Sequence, residues 1–187
     1  MAKDIAMPSF DLTGKTIIVT GGTKGIGHGI AATLAYYGAN VVITARTVKD
    51  CETVSAELNE KYVRGNNRVI GVPADSSKQA DIDRVIAATI ENFGELNILI
   101  NNAGISGKTA KILSDECDEA NFDKVIAVNL KGVFLFAKAA AKQMVAQGKG
   151  GKIINIASVG GLVGGPGVVA YGASKAGVIS LTKTMGN

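Results

Sequence analysis

The sequence predicts an α/β fold in three layers, with helices on both faces of a doubly wound parallel sheet. Short runs rich in β-branched residues, such as residues 16–20 and 41–44, alternate with longer segments whose apolar residues recur at helical spacing. Glycines cluster at the ends of these runs and form no repeat. This alternation is typical of strand–helix–strand units, in which the connected strands are parallel.

Length and composition favour one globular domain over residues 1–187. Hydrophobic residues make up 47% of the chain and charged residues 19%, so a large core can form and disorder is not expected. The net charge of +4 comes from scattered basic residues without a block of five. That distribution argues against a nucleic-acid partner.

Hydropathy and cysteine content bear on the compartment. Residues 1–15 lack the apolar core of a signal peptide, and no apolar run approaches the roughly 18 residues that a membrane span needs. Cys51 and Cys117 lie far apart and form no CxxC pair, so we expect reduced thiols and no metal site. These features predict a soluble, cytoplasmic protein without a membrane partner.

Five strands and the helices between them can be assigned in order. The predicted strands are residues 16–20, 41–44, 69–72, 96–100 and 152–156. The first predicted helix begins at Ile26 and stops at Gly38, and a second, polar helix follows the second strand and runs through Tyr62. Further helices are predicted over 82–93, over 121–147 with a break near Asn129, and from Ala170 onward. Right-handed crossovers then give the strand order 3-2-1-4-5.

A glycine-rich turn, TGGTKGIG at residues 20–27, joins the first predicted strand to the first helix. Gly21, Gly25 and Gly27 permit a tight turn, close approach of the backbone to a pyrophosphate, and close packing of helix on strand. The spacing GxxxGxG differs from the usual GxGxxG fingerprint, and a purely structural turn is the alternative. Its position in the first strand–helix unit favours a dinucleotide site of the Rossmann type.

The end of the second strand bears on which dinucleotide is bound. Residues 44–47 read TART, without the carboxylate that holds the ribose 2′-hydroxyl of NAD. Arg46 offers a planar fork to a 2′-phosphate, and Lys24 adds a second cation. We therefore expect NADP(H) to be favoured over NAD(H), with two solvated surface bases as the alternative.

Tyr171 and Lys175 lie four residues apart, on one face of the last predicted helix. A free phenol has a pKa of about 10, and a cation held nearby favours its ionised form. Tyr171 could then donate a proton to a carbonyl oxygen or remove one from an alcohol. Alone, such a pair usually marks an ordinary helix surface, so its meaning depends on the rest of the chain.

Five motifs occur in the order and spacing of one enzyme family. They are TGGTKGIG at 20–27, NNAG at 101–104, Asn129 within VNL, Ser158 after the fifth strand, and YGASK at 171–175. Together they resemble the short-chain dehydrogenase/reductase family, over essentially the whole chain. Within that family the chain resembles bacterial 3-oxoacyl-carrier-protein reductases and sugar or polyol dehydrogenases.

The resemblance implies roles for individual residues. Tyr171 would be the general acid or base, Lys175 would favour its ionised form and bind the nicotinamide ribose, and Ser158 would hold the substrate oxygen. Asn129 would position a water that links Lys175 to a proton relay, and Asp75 would contact the adenine. Plainer alternatives are a loop cap for Ser158, a helix break for Asn129 and an ordinary turn for Asp75. The implied cofactor-binding residues are Gly21, Thr23, Lys24, Gly25, Ile26, Gly27, Arg46, Asp75, Asn102, Ala103, Gly104, Tyr171 and Lys175.

The predicted function is NADP(H)-dependent hydride transfer between nicotinamide and a carbonyl or secondary alcohol, with Tyr171 handling the proton. A single histidine, His28, and the lack of a GxSxG elbow at Ser158 argue against a Ser-His-Asp hydrolase. The glycines between Ser158 and Tyr171 predict a loop that forms a wall of little bulk at the substrate site. A homodimer or homotetramer is expected by resemblance.

The chain departs from the family after the YGASK helix. Members usually continue with two more strands, a cofactor loop and a substrate lid, whereas this chain ends soon after Lys175. We therefore expect the Rossmann domain at 1–187 to lack the usual C-terminal strands and to be C-terminally incomplete. The alternative function is a catalytically silent dinucleotide-binding or scaffold fragment.

Overall fold

A computed structural model describes residues 9–186 and contains a five-stranded parallel sheet. The strands are β1 (Thr16–Thr20), β2 (Asn40–Ala45), β3 (Val69–Pro73), β4 (Ile98–Asn101) and β5 (Lys152–Asn155). Their order is β3-β2-β1-β4-β5 with every neighbouring pair parallel, which confirms the predicted sheet. The expectation about a signal peptide rests largely on residues 1–8, which lie outside the described residues.

Helices cover both faces of this sheet. They are α1 (Gly25–Tyr36), α2 (Val48–Tyr62), α3 (Gln79–Phe93), α4 (Glu119–Ile126), α5 (Gly132–Ala146), α6 (Gly160–Val163) and α7 (Val169–Met185). A π-helical segment, Ala127–Lys131, joins α4 to α5 and confirms the predicted break near Asn129. Between residues 9 and 186, no helix combines the length and the apolar character that crossing a membrane requires.

Side-chain alternation along β1 builds two cores, one on each face of the sheet. Ile17 and Val19 lie in one core with Leu58 of α2, whereas Ile18 lies in the other with Phe136 of α5. All five side chains are buried. Because β1 is covered on both faces, its apolar run is uninterrupted, and the three-layer prediction is confirmed.

The glycine-rich segment after Ser158 contains one helical turn, α6, where the sequence predicts only a loop. The Val159 carbonyl accepts the amide of Leu162 at 2.9 Å, and the turn ends at Gly164 with φ +68°. The loop expectation is wrong here because two apolar side chains on a single turn give too little periodicity to predict a helix.

Parallel pairing places the carboxyl ends of the strands at one edge of the sheet. Thr20 of β1 is in register with Thr44 of β2, and Asn101 of β4 with Asn155 of β5. The segments that follow these strands therefore meet at one edge, which is where open α/β sheets bind ligands.

Candidate cofactor cleft and active site

A cleft of about 600 Å³ opens at the carboxyl ends of the central strands. Its walls are the glycine turn before α1, the ends of β2 and β3, the segment after β4, and the junction of α4 with the π-helical segment. The predicted cofactor-binding residues that line it are Gly21, Thr23, Lys24, Ile26, Gly27, Arg46, Asp75, Asn102, Ala103 and Gly104. Residues chosen from separate motifs thus share one cleft.

The motif glycines serve different purposes in the turn. Gly21 and Gly25 have φ values of +65° and +56°, which residues other than glycine rarely adopt. A Cβ at Gly25 would meet no described atom within 4 Å, so space is open in front of the turn. A Cβ at Gly27 would collide with the Gly21 carbonyl oxygen and the Asn102 side-chain amide. Gly27 therefore allows close packing, whereas Gly25 allows the backbone path beside the cleft.

The N-terminus of α1 is available to an anion. Lys24 precedes the helix with an extended backbone; over residues 9–186, no side chain caps this end and no acid occupies its first turn. Free amides and the helix dipole favour negative charge at such an end. The exposed Lys24 side chain adds a cation at the same place.

Thr20 and Asn102 tie the ends of β1 and β4 together. The Thr20 hydroxyl accepts the main-chain amides of Asn102 and Ala103, both at 3.0 Å. The Asn102 side chain donates to the carbonyls of Thr20 at 2.9 Å and Gly21 at 3.2 Å. Asn102 therefore holds the glycine turn in place. Thr20, whose role the motifs did not predict, takes part in three of these four hydrogen bonds.

Charged residues surround the cleft beyond β2 and β3. One oxygen of Asp75 accepts the Ser77 amide at 3.0 Å and the Ser77 hydroxyl at 2.7 Å, as a turn residue would. The Ser77 amide, and to a smaller degree the Arg46 charge, hold the pKa of Asp75 below its ordinary value. Asp50 and Lys124 also line the cleft, and sequence reasoning missed both because they lie within helices outside the motifs.

Ser158 and Tyr171 meet beside Gly160, and Lys175 lies near the Tyr171 ring. A Cβ at Gly160 would lie 3.4 Å from Ser158 Oγ and 3.7 Å from Tyr171 Cε1, so the hydroxyl and the phenol ring flank one point. Lys175 Nζ lies 5.8 Å from the centroid of the Tyr171 ring, within cation–π range. Ser158 Oγ also accepts the Gly160 amide at 3.1 Å, which holds the serine hydroxyl at the start of α6.

Lys175 is almost completely buried, with 4% of its surface exposed. Its ammonium donates to the Ile156 carbonyl at 2.6 Å. Burial lowers the pKa of Lys175, because the charged form loses hydration. This bond holds a cation beside the phenol in a region where water screens charge poorly.

Asn129 lies in the π-helical segment and is fully buried. Its Oδ1 accepts the Ile105 amide at 2.8 Å, and its Nδ2 donates to the Ile105 carbonyl at 2.8 Å and to Ser174 Oγ at 3.1 Å. A Cβ at Gly104 would lie 3.3 Å from Asn129 Oδ1 and 3.8 Å from Lys175 Nζ, so both polar groups border the end of the cleft. π-Helical turns are rare and frequently mark functional sites.

Sequence reasoning also missed Ser174, although it lies inside the YGASK motif. The residue is fully buried, and its hydroxyl donates to the Tyr171 carbonyl at 2.7 Å. The sequence spacing could have predicted this bond, because a serine hydroxyl on a helix reaches the carbonyl three residues earlier.

The cleft fits a nicotinamide dinucleotide. The open space at Gly25 and the uncapped N-terminus of α1 suit a pyrophosphate, and Lys24 and Arg46 add positive charge. From there the cleft leads to Gly104, beside Lys175. Lys175 borders that end, and together with the neighbouring Tyr171 phenol and Ser158 hydroxyl it can move a proton to or from an oxygen atom.

Comparison with known proteins agrees with this geometry. A family model described as short chain dehydrogenase matches residues 15–187. L-Rhamnose-1-dehydrogenase from Scheffersomyces stipitis is 38% identical over 173 residues, which are 92% of this chain and 66% of that protein. A 3-oxoacyl-[acyl-carrier-protein] reductase from Synechocystis sp. is 39% identical over 175 residues, or 93% of this chain and 68% of that protein. The chain thus spans about two thirds of the length of these relatives.

Solved structures share the fold. The crystal structure of levodione reductase aligns with a TM-score of 0.85 and 36% identity, covering 92% of this chain and 65% of that one. NAD⁺-bound xylitol dehydrogenase aligns with a TM-score of 0.85 and 31% identity, covering 92% and 64%. The chain therefore belongs to the short-chain dehydrogenase family of oxidoreductases, as its motifs predict.

Proposed function

We propose that the protein is an NADP(H)-dependent oxidoreductase that transfers a hydride between nicotinamide and a carbonyl or secondary alcohol. The observation that carries the proposal is that Ser158 Oγ and the Tyr171 ring flank Gly160, while Lys175 Nζ lies near both that ring and Gly104 of the cleft. Relatives named as dehydrogenases and reductases support it. Residues 1–187 would form a single NAD(P)-binding domain of a cytoplasmic enzyme.

The residues divide the chemistry between them. A bound nicotinamide dinucleotide supplies or accepts the hydride. During reduction the Tyr171 hydroxyl donates its proton to the substrate oxygen as negative charge develops there. Ser158 donates a hydrogen bond to the same oxygen and fixes its position. The buried Lys175 ammonium stabilises the phenolate that remains, and oxidation runs through the same steps in reverse.

Asn129 supports this site from the π-helical segment. Its Oδ1 uses one lone pair on the Ile105 amide, and a second lone pair stays available near Lys175. We assign that lone pair the task of placing a water beside the ammonium, through which the proton of the phenol exchanges with solvent.

The experiment that tests the proposal is Tyr171→Phe, which removes only the hydroxyl. We expect carbonyl reduction to fall by at least about 100-fold, because the proton donor is lost. NADPH affinity, measured by fluorescence titration, should stay within about twofold, since the ring remains. Tyr36→Phe, at an exposed tyrosine of α1, is the matched control and should leave the rate unchanged. Full activity in Tyr171→Phe would refute the assigned mechanism.

The preference for NADP(H) rests on the charge at the adenosine end of the cleft. Arg46 and Lys24 line it and would pair with a 2′-phosphate, although Asp50 lines the same cleft. Arg46→Asp should weaken NADPH binding by about 10- to 100-fold and NADH binding much less. Lys49→Asp makes the same charge change at a neighbouring exposed site. An unchanged ratio of the two affinities in Arg46→Asp would remove Arg46 from this role.

The proposed assembly is a homodimer or homotetramer, in line with the resemblance. Exposed apolar side chains on the helices that flank the π-helical segment, such as Phe122 of α4 and Phe134 of α5, offer surface for such pairing. Light scattering coupled to size exclusion measures the mass in solution, and a monomer would contradict this assignment.

A further inference from the structure

We propose that Ser174 is a positioning residue that fixes the orientation of the Asn129 side chain and couples it to the helix carrying Tyr171 and Lys175. This inference rests on the proposed function. It assigns work to a residue that contacts neither the cleft nor the reacting atoms.

The direction of the hydrogen bonds at Ser174 is determined by its single proton. The hydroxyl donates that proton to the Tyr171 carbonyl at 2.7 Å, so toward Asn129 it can only accept. Asn129 meets it with Nδ2 at 3.1 Å. Together with the two Ile105 bonds, the hydroxyl therefore favours the amide orientation in which nitrogen faces α7.

That orientation sets where the oxygen of Asn129 lies. Nδ2 uses both of its protons, on the Ile105 carbonyl and on Ser174 Oγ, while Oδ1 accepts the Ile105 amide. Oδ1 then borders Gly104 on the side where Lys175 Nζ also lies. In the flipped orientation the Asn129 oxygen would face the Ser174 hydroxyl oxygen, where both side chains are fully buried, and also the part-buried Ile105 carbonyl.

Ser174 also joins two elements that hold the site. The π-helical segment carries Asn129, and α7 carries Tyr171 and Lys175. Loss of the bond would let these elements shift relative to each other, and a displacement of about 1 Å can cost about 100-fold in rate. In the described chain, Ser174 shares no hydrogen bond with the cofactor turn before α1. Loss of the Ser174 bond should therefore leave cofactor affinity nearly unchanged.

The test is Ser174→Ala in the purified protein. We expect kcat for carbonyl reduction to fall by about 10- to 100-fold, with NADPH affinity within about threefold of the wild type. Ser174→Thr, which keeps the hydroxyl, should recover most of the rate. Because Ser174 acts through Asn129, the double variant with Asn129→Ala should be no slower than Asn129→Ala alone.

A matched control lies two turns further along α7. The Thr182 hydroxyl donates to the Val178 carbonyl at 2.7 Å and accepts the Asn155 side-chain amide at 2.9 Å, which is the same arrangement away from the site. Thr182→Ala should therefore lose two bonds of the same kinds, at an exposed position, without losing kcat.

A readout independent of activity is the side-chain amide of Asn129 in nuclear magnetic resonance spectra. Both N–H protons should exchange slowly in the wild type, and one should lose protection in Ser174→Ala. If alanine prevents folding, rapid exchange of either proton in the wild type would still overturn the proposal.

Other results would also overturn it. These are a kcat in Ser174→Ala within about twofold of the wild type, an equal loss in Thr182→Ala, no recovery in a folded Ser174→Thr, or a loss that multiplies with that of Asn129→Ala. Full activity in Tyr171→Phe would instead refute the proposed function, and the exchange measurement would still decide the role of Ser174.

Discussion

Substitution of Gly27 by alanine tests whether the packing of α1 on the glycine turn shapes the cofactor cleft. The new Cβ would lie 3.0 Å from the Gly21 carbonyl carbon, and closer still to its oxygen and to Asn102 Nδ2, whereas ordinary contacts begin at 3.4 Å. The turn cannot yield without disturbing the bonds of Asn102 to the carbonyls of Thr20 and Gly21, at 2.9 and 3.2 Å. Such overpacking typically costs about 1–3 kcal/mol in the free energy of unfolding.

The same shift would move the first amides of α1 away from a bound phosphate. We therefore expect NADPH affinity, measured by fluorescence titration, to fall by at least about 10-fold, which is about 1.4 kcal/mol. Gly29→Ala is the control on the same helix, because a Cβ there meets no described atom within 4 Å. It should stabilise the protein by about 0.5–1 kcal/mol in urea unfolding, since alanine favours helix over glycine. Wild-type stability and affinity in Gly27→Ala would refute the steric argument.

Two further predictions concern titratable groups. Burial lowers the pKa of Lys175 from its ordinary 10.5, so the unfolded chain binds a proton that the folded chain has released in the window between the two pKa values. The free energy of unfolding of the wild type, relative to that of Lys175→Met, should therefore rise as pH increases through that window toward 10.5. Urea unfolding at several pH values measures this difference, and a difference that falls with pH would contradict the prediction. Asp75→Asn keeps an acceptor for the Ser77 amide and so should retain the turn, but it replaces a carboxylate oxygen with a donor. We expect NADPH affinity, measured by fluorescence titration, to fall, because Asp75 lines the cleft and would contact the adenine; an unchanged affinity would contradict that contact and leave Asp75 to the turn alone.

The sheet and the cleft follow from local patterns in the sequence. The uninterrupted apolar run of β1 predicts a strand covered on both faces, and the alternation of runs and helices predicts the strand order. Gly21, Arg46 and Asn102 each follow a strand, so parallel pairing alone brings them to one edge. Motif spacing was sufficient to predict the cleft, because residues that directly follow parallel strands lie next to one another at one edge of the sheet.

Contacts between distant residues could not be predicted in this way. Asn129 meets Ile105 and Ser174 across 24 and 45 positions of sequence, and no local period encodes either bond. The sequence indicated a break at Asn129 but not that the break is a π-helical segment whose buried amide joins two elements. Asp50 lines the cleft from the first turn of α2. The sequence motif places a carboxylate directly at the end of the second strand, so it did not point to Asp50.

The most direct test of the proposed function follows the hydride itself. NADPH deuterated at the hydride-donating nicotinamide carbon is incubated with the protein and, in turn, with 3-oxoacyl thioesters, keto sugars and small ketones, and the alcohols are analysed by mass spectrometry. We expect deuterium on the carbinol carbon for at least one of these substrate classes, and labelling at least about 100-fold slower with Tyr171→Phe. Failure of the folded, NADPH-bound wild-type protein to form a labelled alcohol from any class, or equal labelling by Tyr171→Phe, would contradict it.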